Sequence, residues 1–198
     1  MPLALVLAPL STRLPRTQRF AASRAAVAEA LRASGELAGA PRALPYDDWP
    51  RAPSGAPSPV RGWHASYADT TGLVVALVTS GPVAVDAEWV RRPRWHAARE
   101  RFRDSGELVS LGGDTRDDVL ALWTAKEALL KLAGVGLADL GRCPLVRRDG
   151  AHFCLRHDQR EHRGREQVVE VRRSGAHWIA CASSAPAELE LHVLQEVS

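Results

Sequence analysis

Hydrophobic residues form short runs along most of the chain, and each run predicts one element. The apolar stretch Leu3 to Leu10 has the length and composition of a strand. Apolar residues recur with helical spacing through residues 17–34 and predict a helix that Gly35 ends. Six prolines lie between Pro41 and Pro59, and they predict a long surface loop because proline excludes a helix or a central strand.

The rest of the chain contains further predicted strands and a second helix. The runs Leu73 to Val78 and Val83 to Val90 flank a turn-forming segment and predict a β-hairpin. A long helix is predicted from Asp114 to Ala133, ended by glycine. Three later runs have strand character: 168–171, 177–181 and 189–194. The order of elements is therefore a helix followed by strands, twice.

The strand after residue 82 carries two acids on one face. Its period of two places Val83 and Val85 on one side and Asp86 and Glu88 together on the other. Two neighbouring carboxylates repel each other and resist desolvation unless a cation neutralises them. Mg²⁺ binds such oxygens and completes its shell with phosphate oxygens and water. A solvent-facing edge strand kept soluble by its acids is the alternative on spacing alone.

The long helix carries charged residues on and beside its apolar face. Lys126 projects from the middle of that face, where a lysine must snorkel or meet an anion. Glu127 and Lys131 are four residues apart on its flank, a spacing that by itself indicates a surface ion pair. Arg24 interrupts the apolar stripe of the first helix, where snorkelling is again the common explanation. Two such cations beside the acid pair Asp86 and Glu88 indicate an anion and metal site.

Composition narrows the class of protein. A chain of 198 residues with 45% hydrophobic and 25% charged residues is typical of a globular protein with one large or two small domains. The net charge of +3 suits a partner with phosphates or an acidic surface, and nucleic acid is not expected. Three widely spaced cysteines predict core residues in a reducing compartment. With no segment that reads as a bilayer span or secretion signal, the expected location is the cytoplasm, without a membrane partner.

Two motifs in the second half carry a family resemblance. Residues 123–131, WTAKEALLK, resemble the WxxKEAxxK motif of 4′-phosphopantetheinyl transferases. Asp86-Ala87-Glu88 resembles the (V/I)GVDxE motif of that family. Upstream, Trp63 to Tyr67 resembles its serine–histidine motif, and residues 20–31 resemble its arginine-bearing first helix. Together these motifs cover most of the chain. Its length of 198 residues fits the two-half, surfactin-synthetase-activating type of the family better than the short type that trimerises.

The resemblance implies a fold and a reaction. The expected fold class is α+β, a pseudo-dimer of two similar halves, each a helix packed on a small antiparallel sheet. The halves are expected at residues 1–80, for coenzyme A binding, and 81–198, for the metal site and carrier binding. The protein is expected to be a monomeric enzyme that transfers 4′-phosphopantetheine from coenzyme A to a serine of an apo acyl or peptidyl carrier protein. Such carriers serve polyketide, nonribosomal peptide or fatty acid biosynthesis.

The resemblance also implies residue roles. Three carboxylates would hold Mg²⁺: Asp86, Glu88 and Glu127. Five residues would contact coenzyme A: Arg24, Ser66, Tyr67, Lys126 and Lys131. Of these, Lys126 and Lys131 join Glu127 as the catalytic group, and Glu127 is also a candidate base.

Three positions depart from the family pattern. Tyr67 stands where the family usually has a histidine, and Ala84 replaces the glycine before the metal-binding aspartate. The segment Gly55-Ala56-Pro57 resembles the family's GKP segment without its lysine. These departures motivate an alternative function, a non-catalytic module that binds coenzyme A or a carrier. A different Mg²⁺-dependent phosphotransferase is a weaker alternative because the sequence has no GxxxxGK[ST] loop.

An arginine-rich segment follows the acidic strand. Its cations are Arg91, Arg92, Arg94, Arg99, Arg101 and Arg103. A solvated loop is the common meaning of such a run, and docking of an acidic carrier helix is the functional hypothesis.

Overall fold

The computed structural model describes residues 3–11, 16–52, 56–102, 105–157, 165–184 and 189–194. The strands are β1 (Leu3–Pro9), β2 (His64–Thr70), β3 (Leu73–Thr79), β4 (Val83–Trp89), β5 (Leu145–Asp149), β6 (His152–His157), β7 (Arg165–Ser174), β8 (His177–Ser183) and β9 (Leu189–Val193). The α-helices are α1 (Arg16–Leu37), α2 (Trp95–Phe102), α3 (Glu107–Ser110) and α4 (Arg116–Leu132). Within the ranges given above, 3₁₀ helices span Tyr46–Asp48 and Leu137–Arg142. The fold class is α+β, and none of the helices in the described ranges is long and apolar enough to cross a membrane.

By its internal contacts the chain divides into two compact units. One unit consists of Met1–Ala87 and Ser183–Ser198, and the other is Glu88–Ala182. The division differs from the expected halves, 1–80 and 81–198, mainly at the C-terminal end, because β9 pairs with β1 of the first unit. The functional roles assigned to the two halves stay predictions.

The first unit is built on a four-stranded sheet with the order β2-β3-β1-β9. Strand β3 is buried along its whole length and runs antiparallel to β1 and β2. Strand β9 runs parallel to β1, so this sheet is mixed rather than purely antiparallel as expected. Helix α1 lies over the sheet, and the buried hydroxyl of Ser34 fastens it there. That hydroxyl donates to the Ala4 carbonyl and accepts from the Val78 amide, each at 2.8 Å.

Helix α1 continues beyond Gly35, so the prediction that this glycine ends the helix is wrong. A Cβ atom at Gly35 would lie 2.2 Å from the Tyr46 hydroxyl. The glycine is therefore explained by close packing against the buried Tyr46 ring, and the loop after α1 buries Leu44 and Trp49 as well. The predicted surface loop is in part a core segment.

The predicted hairpin of β3 with β4 is also wrong. Strand β3 pairs with β2 through the turn at Gly72, whose φ of 79° is a left-handed conformation that glycine adopts without strain. Strand β4 leaves that sheet and pairs with β8. A turn-forming sequence predicts a reversal of the chain, and tertiary packing decides which strand becomes the neighbour.

The second sheet has the order β4-β8-β7-β6-β5, and its strands β5 and β6 were not predicted. Helix α4 packs against this sheet and shares a core with it that includes Leu122, Leu129, Phe153 and Val169. The helix begins two residues later than predicted, at Arg116, and Thr115 and Asp118 form a capping box before it. Its apolar face fixes the rotation of α4 and thereby the positions of its charged residues.

Candidate functional site

The acidic residues of β4 and α4 come together in the structure. Asp86 is buried, with 4% of its surface exposed, and Glu88 and Glu127 are half-buried. Each of the three offers a carboxylate oxygen, and these oxygens lie within 4.8 Å of one another. Carboxylates held this close repel each other unless a cation lies among them. Oxygen donors at this spacing suit a hard divalent cation such as Mg²⁺.

One of these acids forms an ion pair with a basic side chain of the protein. Arg92 forms an ion pair with Glu88, and its guanidinium carbon lies 4.9 Å from the ring centroid of the buried Trp123. Arg101 approaches the same ring at 6.0 Å. Trp123, the first residue of the WxxKEAxxK-like segment, therefore supports the cation that neutralises Glu88.

Lys126 lies inside the second unit. It is 1% exposed, and its Nζ atom lies 2.7 Å from Oε1 of Glu107, a buried carboxylate. Glu107 also accepts a hydrogen bond of 2.6 Å from the Leu145 amide. Burial lowers the pKa of Lys126, and Glu107 opposes that shift. The contact of Lys126 with coenzyme A stays a prediction, and it would require Lys126 to leave Glu107.

Lys131 has a different environment from Lys126. It is exposed and lies one helical turn after Glu127. It therefore presents its ammonium group near the side of α4 that carries Glu127. Its predicted contact with a phosphate remains open to test.

Ser66 has a structural partner in the first unit. Its side chain is buried, and its Oγ atom accepts a hydrogen bond of 2.9 Å from the Val85 amide on β4. This bond holds the backbone of β4 one residue before Asp86. A contact between Ser66 and coenzyme A stays a prediction.

Arg24 and Tyr67 line one pocket of the first unit, which has a volume of about 430 Å³. Arg51 lines it as well and donates a hydrogen bond to the Tyr67 hydroxyl. Sequence reasoning did not single out Arg51 or Glu107. Arg51 lies in the proline-rich segment and Glu107 in a short polar segment, and neither has a spacing that would have marked it.

The match to a family model decides the family. The model of the 4'-phosphopantetheinyl transferase superfamily matches residues 82–182, just over half of the 198-residue chain. The chain belongs to this superfamily. A search of the curated proteins found no match.

The matched span contains both motifs that carried the resemblance. It includes the three clustered carboxylates and the ion pair of Lys126 with Glu107. As a member of the phosphopantetheinyl transferase superfamily, the chain is a transferase of the phosphopantetheine type. The candidate metal centre of this transferase is the group Asp86, Glu88 and Glu127.

Proposed function

We propose that this protein transfers 4′-phosphopantetheine from coenzyme A to a serine of an apo acyl or peptidyl carrier protein, releasing 3′,5′-ADP. The observation that carries the proposal is the cluster of three carboxylates inside the family-matched span. The two-half, surfactin-synthetase-activating type is the proposed subtype, with a pseudo-dimeric fold and a monomeric enzyme. A long helix packed on a sheet in each unit supports that subtype.

The donor set fits Mg²⁺. Three carboxylate oxygens within 4.8 Å of one another are hard ligands, and Mg²⁺ usually takes protein carboxylates together with substrate phosphate oxygens. Asp86, Glu88 and Glu127 would hold the ion. When bound, Mg²⁺ supplies neutralisation of the negative charge on the coenzyme A diphosphate.

The reaction needs one proton acceptor and one leaving group. The oxygen of the carrier serine forms a bond to the phosphorus that bears pantetheine, and the bond from that phosphorus to 3′,5′-ADP breaks. Glu127 is the proposed acceptor of the serine proton because it lies in the cluster and is only half-buried. Lys131, exposed one turn along α4, is the proposed phosphate contact on the same side. Positioning and charge stabilisation supply most of the catalysis in such transfers.

Intact mass spectrometry tests the proposal. The protein is incubated with coenzyme A, Mg²⁺ and a panel of apo carriers, beside Glu127→Gln and the matched control Glu29→Gln on the exposed side of α1. We expect the carrier mass to increase by one phosphopantetheine with wild type and with Glu29→Gln. We expect no increase with Glu127→Gln or in EDTA. Carrier modified equally by Glu127→Gln would refute the assigned site.

The alternative is a module that binds coenzyme A or a carrier without catalysis. The departures at Ala56 and Tyr67 favour it, and the intact carboxylate cluster opposes it. Calorimetry separates the two possibilities. Measurable coenzyme A binding with no carrier modified in any member of the panel is the result expected of the module.

The arginine-rich segment is the proposed carrier-docking surface. Arg92 is paired with Glu88 and Arg99 with Asp114, whereas Arg91 and Arg94 are exposed, and Arg103 lies outside the described residues. Exposed cations suit an acidic partner because they steer its approach. The double variant Arg91→Glu/Arg94→Glu should therefore raise KM for the carrier more than KM for coenzyme A. Equal changes in both constants would rule out this surface.

A further inference from the structure

An open pocket lies in the second unit, at the start of α4. It has a volume of about 580 Å³, within the range of about 300 to 1,000 Å³ usual for small-molecule sites. Three arginines line it, Arg91, Arg116 and Arg173, together with the acid Asp117. None of the lining residues belongs to the carboxylate cluster of the candidate metal centre. The chemistry of the metal centre therefore leaves this group of cations unexplained.

The arginines come from three elements that are distant in sequence. The Val90 amide donates to the Ala176 carbonyl at 2.9 Å, which holds the residue before Arg91 against the turn between β7 and β8. Arg116 is the first residue of α4, directly after the capping residue Thr115. The third arginine lies near the end of β7. Tertiary packing thus brings three guanidinium groups to one pocket.

The side chain of Arg173 is held from three directions. It forms an ion pair with Asp117, and its Nε atom donates to the Gly175 carbonyl at 3.3 Å. Its guanidinium carbon lies 5.8 Å from the centroid of the Trp178 ring. Because Asp117 already has this partner, its carboxylate does not neutralise the other two arginines.

Arg91 and Arg116 form no ion pair within the part of the chain that the structure describes. Both are exposed, and the guanidinium carbon of Arg116 lies 5.6 Å from the centroid of the Trp95 ring. Three arginines and one aspartate leave the lining of the pocket with a net charge of +2. Neighbouring cations repel each other unless an anion lies among them. The pocket is therefore suited to a ligand with about two negative charges.

A phosphate monoester matches this charge. It carries about −1.5 to −2 charges near pH 7 on three oxygens that accept hydrogen bonds. A guanidinium presents its N–H groups as a planar fork that matches two oxygens of a phosphate. An acidic peptide has one charge per side chain, spread along its length, and fits a compact group of arginines less well. Because Val90 and Trp95 line the same pocket, an organic group on the phosphate has apolar surface to contact.

We propose that the pocket at the start of α4 binds a phosphate monoester of a small organic molecule, with Arg91 and Arg116 as the residues that bind the phosphate. The site consists of side chains and does not depend on the first turn of α4, where Thr115 already accepts from the Asp118 amide at 3.3 Å. Such binding needs neither coenzyme A nor a metal ion, so it is independent of the proposed function. Arg91 is shared with the proposed carrier-docking surface, whereas Arg116 belongs to the pocket alone.

Calorimetry with phenyl phosphate, in EDTA and without coenzyme A, tests the proposal. Wild type should bind phenyl phosphate more tightly than inorganic phosphate, which lacks the ring, and more tightly than benzoate, which has a single charge. Arg91→Gln and Arg116→Gln should each weaken binding of phenyl phosphate by about 5- to 20-fold, the effect of losing a charge-assisted hydrogen bond at an exposed site. Arg116→Lys should recover part of the loss because it keeps the charge, and this recovery separates a lost charge from a damaged fold.

Two control variants locate the bound phosphate. Arg94→Gln changes an exposed arginine of the same segment that does not line the pocket, and it should bind within about twofold of wild type. Arg24→Gln changes an arginine that lines the pocket of the first unit, and it should also bind as wild type does.

Five outcomes would overturn the proposal. Wild type that binds no phenyl phosphate at about 10 mM, or Arg116→Gln that binds it as tightly as wild type, would exclude the site. An equal loss in Arg94→Gln and Arg91→Gln would indicate a diffuse effect of charge. A loss in Arg24→Gln without one in Arg116→Gln would place the phosphate in the first unit. Tighter binding of a hexaglutamate peptide than of phenyl phosphate would assign the pocket to an acidic protein segment instead.

Discussion

The Nζ atom of Lys126 lies 2.7 Å from Oε1 of Glu107, and the two side chains are only 1% and 6% exposed. This buried ion pair links the residue next to Glu127 on α4 to α3. Since Glu107 also accepts the Leu145 amide, the pair connects α4 to β5 as well. The pair therefore holds together the part of the second unit that carries Glu127.

Removal of one partner of this pair should destabilise the protein strongly. Lys126→Met leaves Glu107 buried without its counter-ion, and such a change costs about 3–5 kcal/mol. Urea denaturation with the free energy of unfolding as the readout measures the loss.

Two further variants control for that result. Lys126→Met/Glu107→Gln removes both charges while leaving an acceptor for the Leu145 amide, so it should recover most of the loss. Lys131→Met, an exposed lysine of the same helix, should change stability by about 0.5 kcal/mol or less. A Lys126→Met variant as stable as Lys131→Met would contradict the structural role of the pair.

Arg92 should compete with a metal ion for Glu88. The guanidinium neutralises Glu88 in the ion pair, so Arg92→Gln should tighten Mn²⁺ binding by about three- to tenfold, equivalent to roughly 1 kcal/mol. Electron paramagnetic resonance of unbound Mn²⁺ measures the affinity directly. Arg99→Gln, which loses a comparable pair with Asp114, serves as the control and should have no effect. Weaker binding by Arg92→Gln would show that Arg92 supports the metal centre instead.

The capping box of α4 should contribute measurably to stability. Thr115 accepts from the Asp118 amide, and the Asp118 carboxylate accepts from the Thr115 amide. Thr115→Ala should therefore lower the free energy of unfolding by about 1–2 kcal/mol. A double-mutant cycle with Asp118→Ala should give a loss smaller than the sum of the single losses. Strict additivity would mean that the two side chains do not act as one cap.

Cys181 should make the protein less stable in alkaline solution. Burial, with a smaller contribution from Glu170, raises the pKa of this thiol from 9.0 to about 12. Between these values the unfolded chain ionises and the folded chain does not, so stability falls as pH rises above about 9. Between pH 8 and 10 the expected loss is about 1.4 kcal/mol. Urea denaturation at a series of pH values across this range measures the free energy of unfolding. That free energy should fall less steeply with pH in Cys181→Ala than in wild type, and an equally steep fall would exclude Cys181 as the cause.

The sequence alone predicted those parts of the protein that depend on local periodicity. The strand period placed Asp86 and Glu88 on one face, and the helical period placed Lys126 inside the apolar arc of α4. The burial of all three cysteines was also predicted correctly. These predictions succeeded because side-chain direction repeats every two residues in a strand and every 3.6 in a helix.

Tertiary structure decided what depends on distant neighbours. Local sequence predicts that Gly35 ends α1, whereas the folded chain uses this glycine for close packing against Tyr46, which lies in another segment. The predicted pairing of β4 with β3 is wrong for a similar reason. The sequence of a strand does not specify which sheet edge it will join, and β4 pairs with β8. Glu107 beside Lys126 and Arg51 beside Tyr67 are further contacts between residues distant in sequence.

The sequence by itself determined the faces of β4 and α4 and the family motifs, because each depends on residues close together along the chain. The α+β class followed from the family that those motifs resemble. The three-dimensional arrangement decided which acid pairs with the buried Lys126 and which arginines line the pocket of the first unit. The physical reason is that burial and ion pairing are set by packing between segments. Local sequence limits which side chains are suited to such contacts but does not choose their partners.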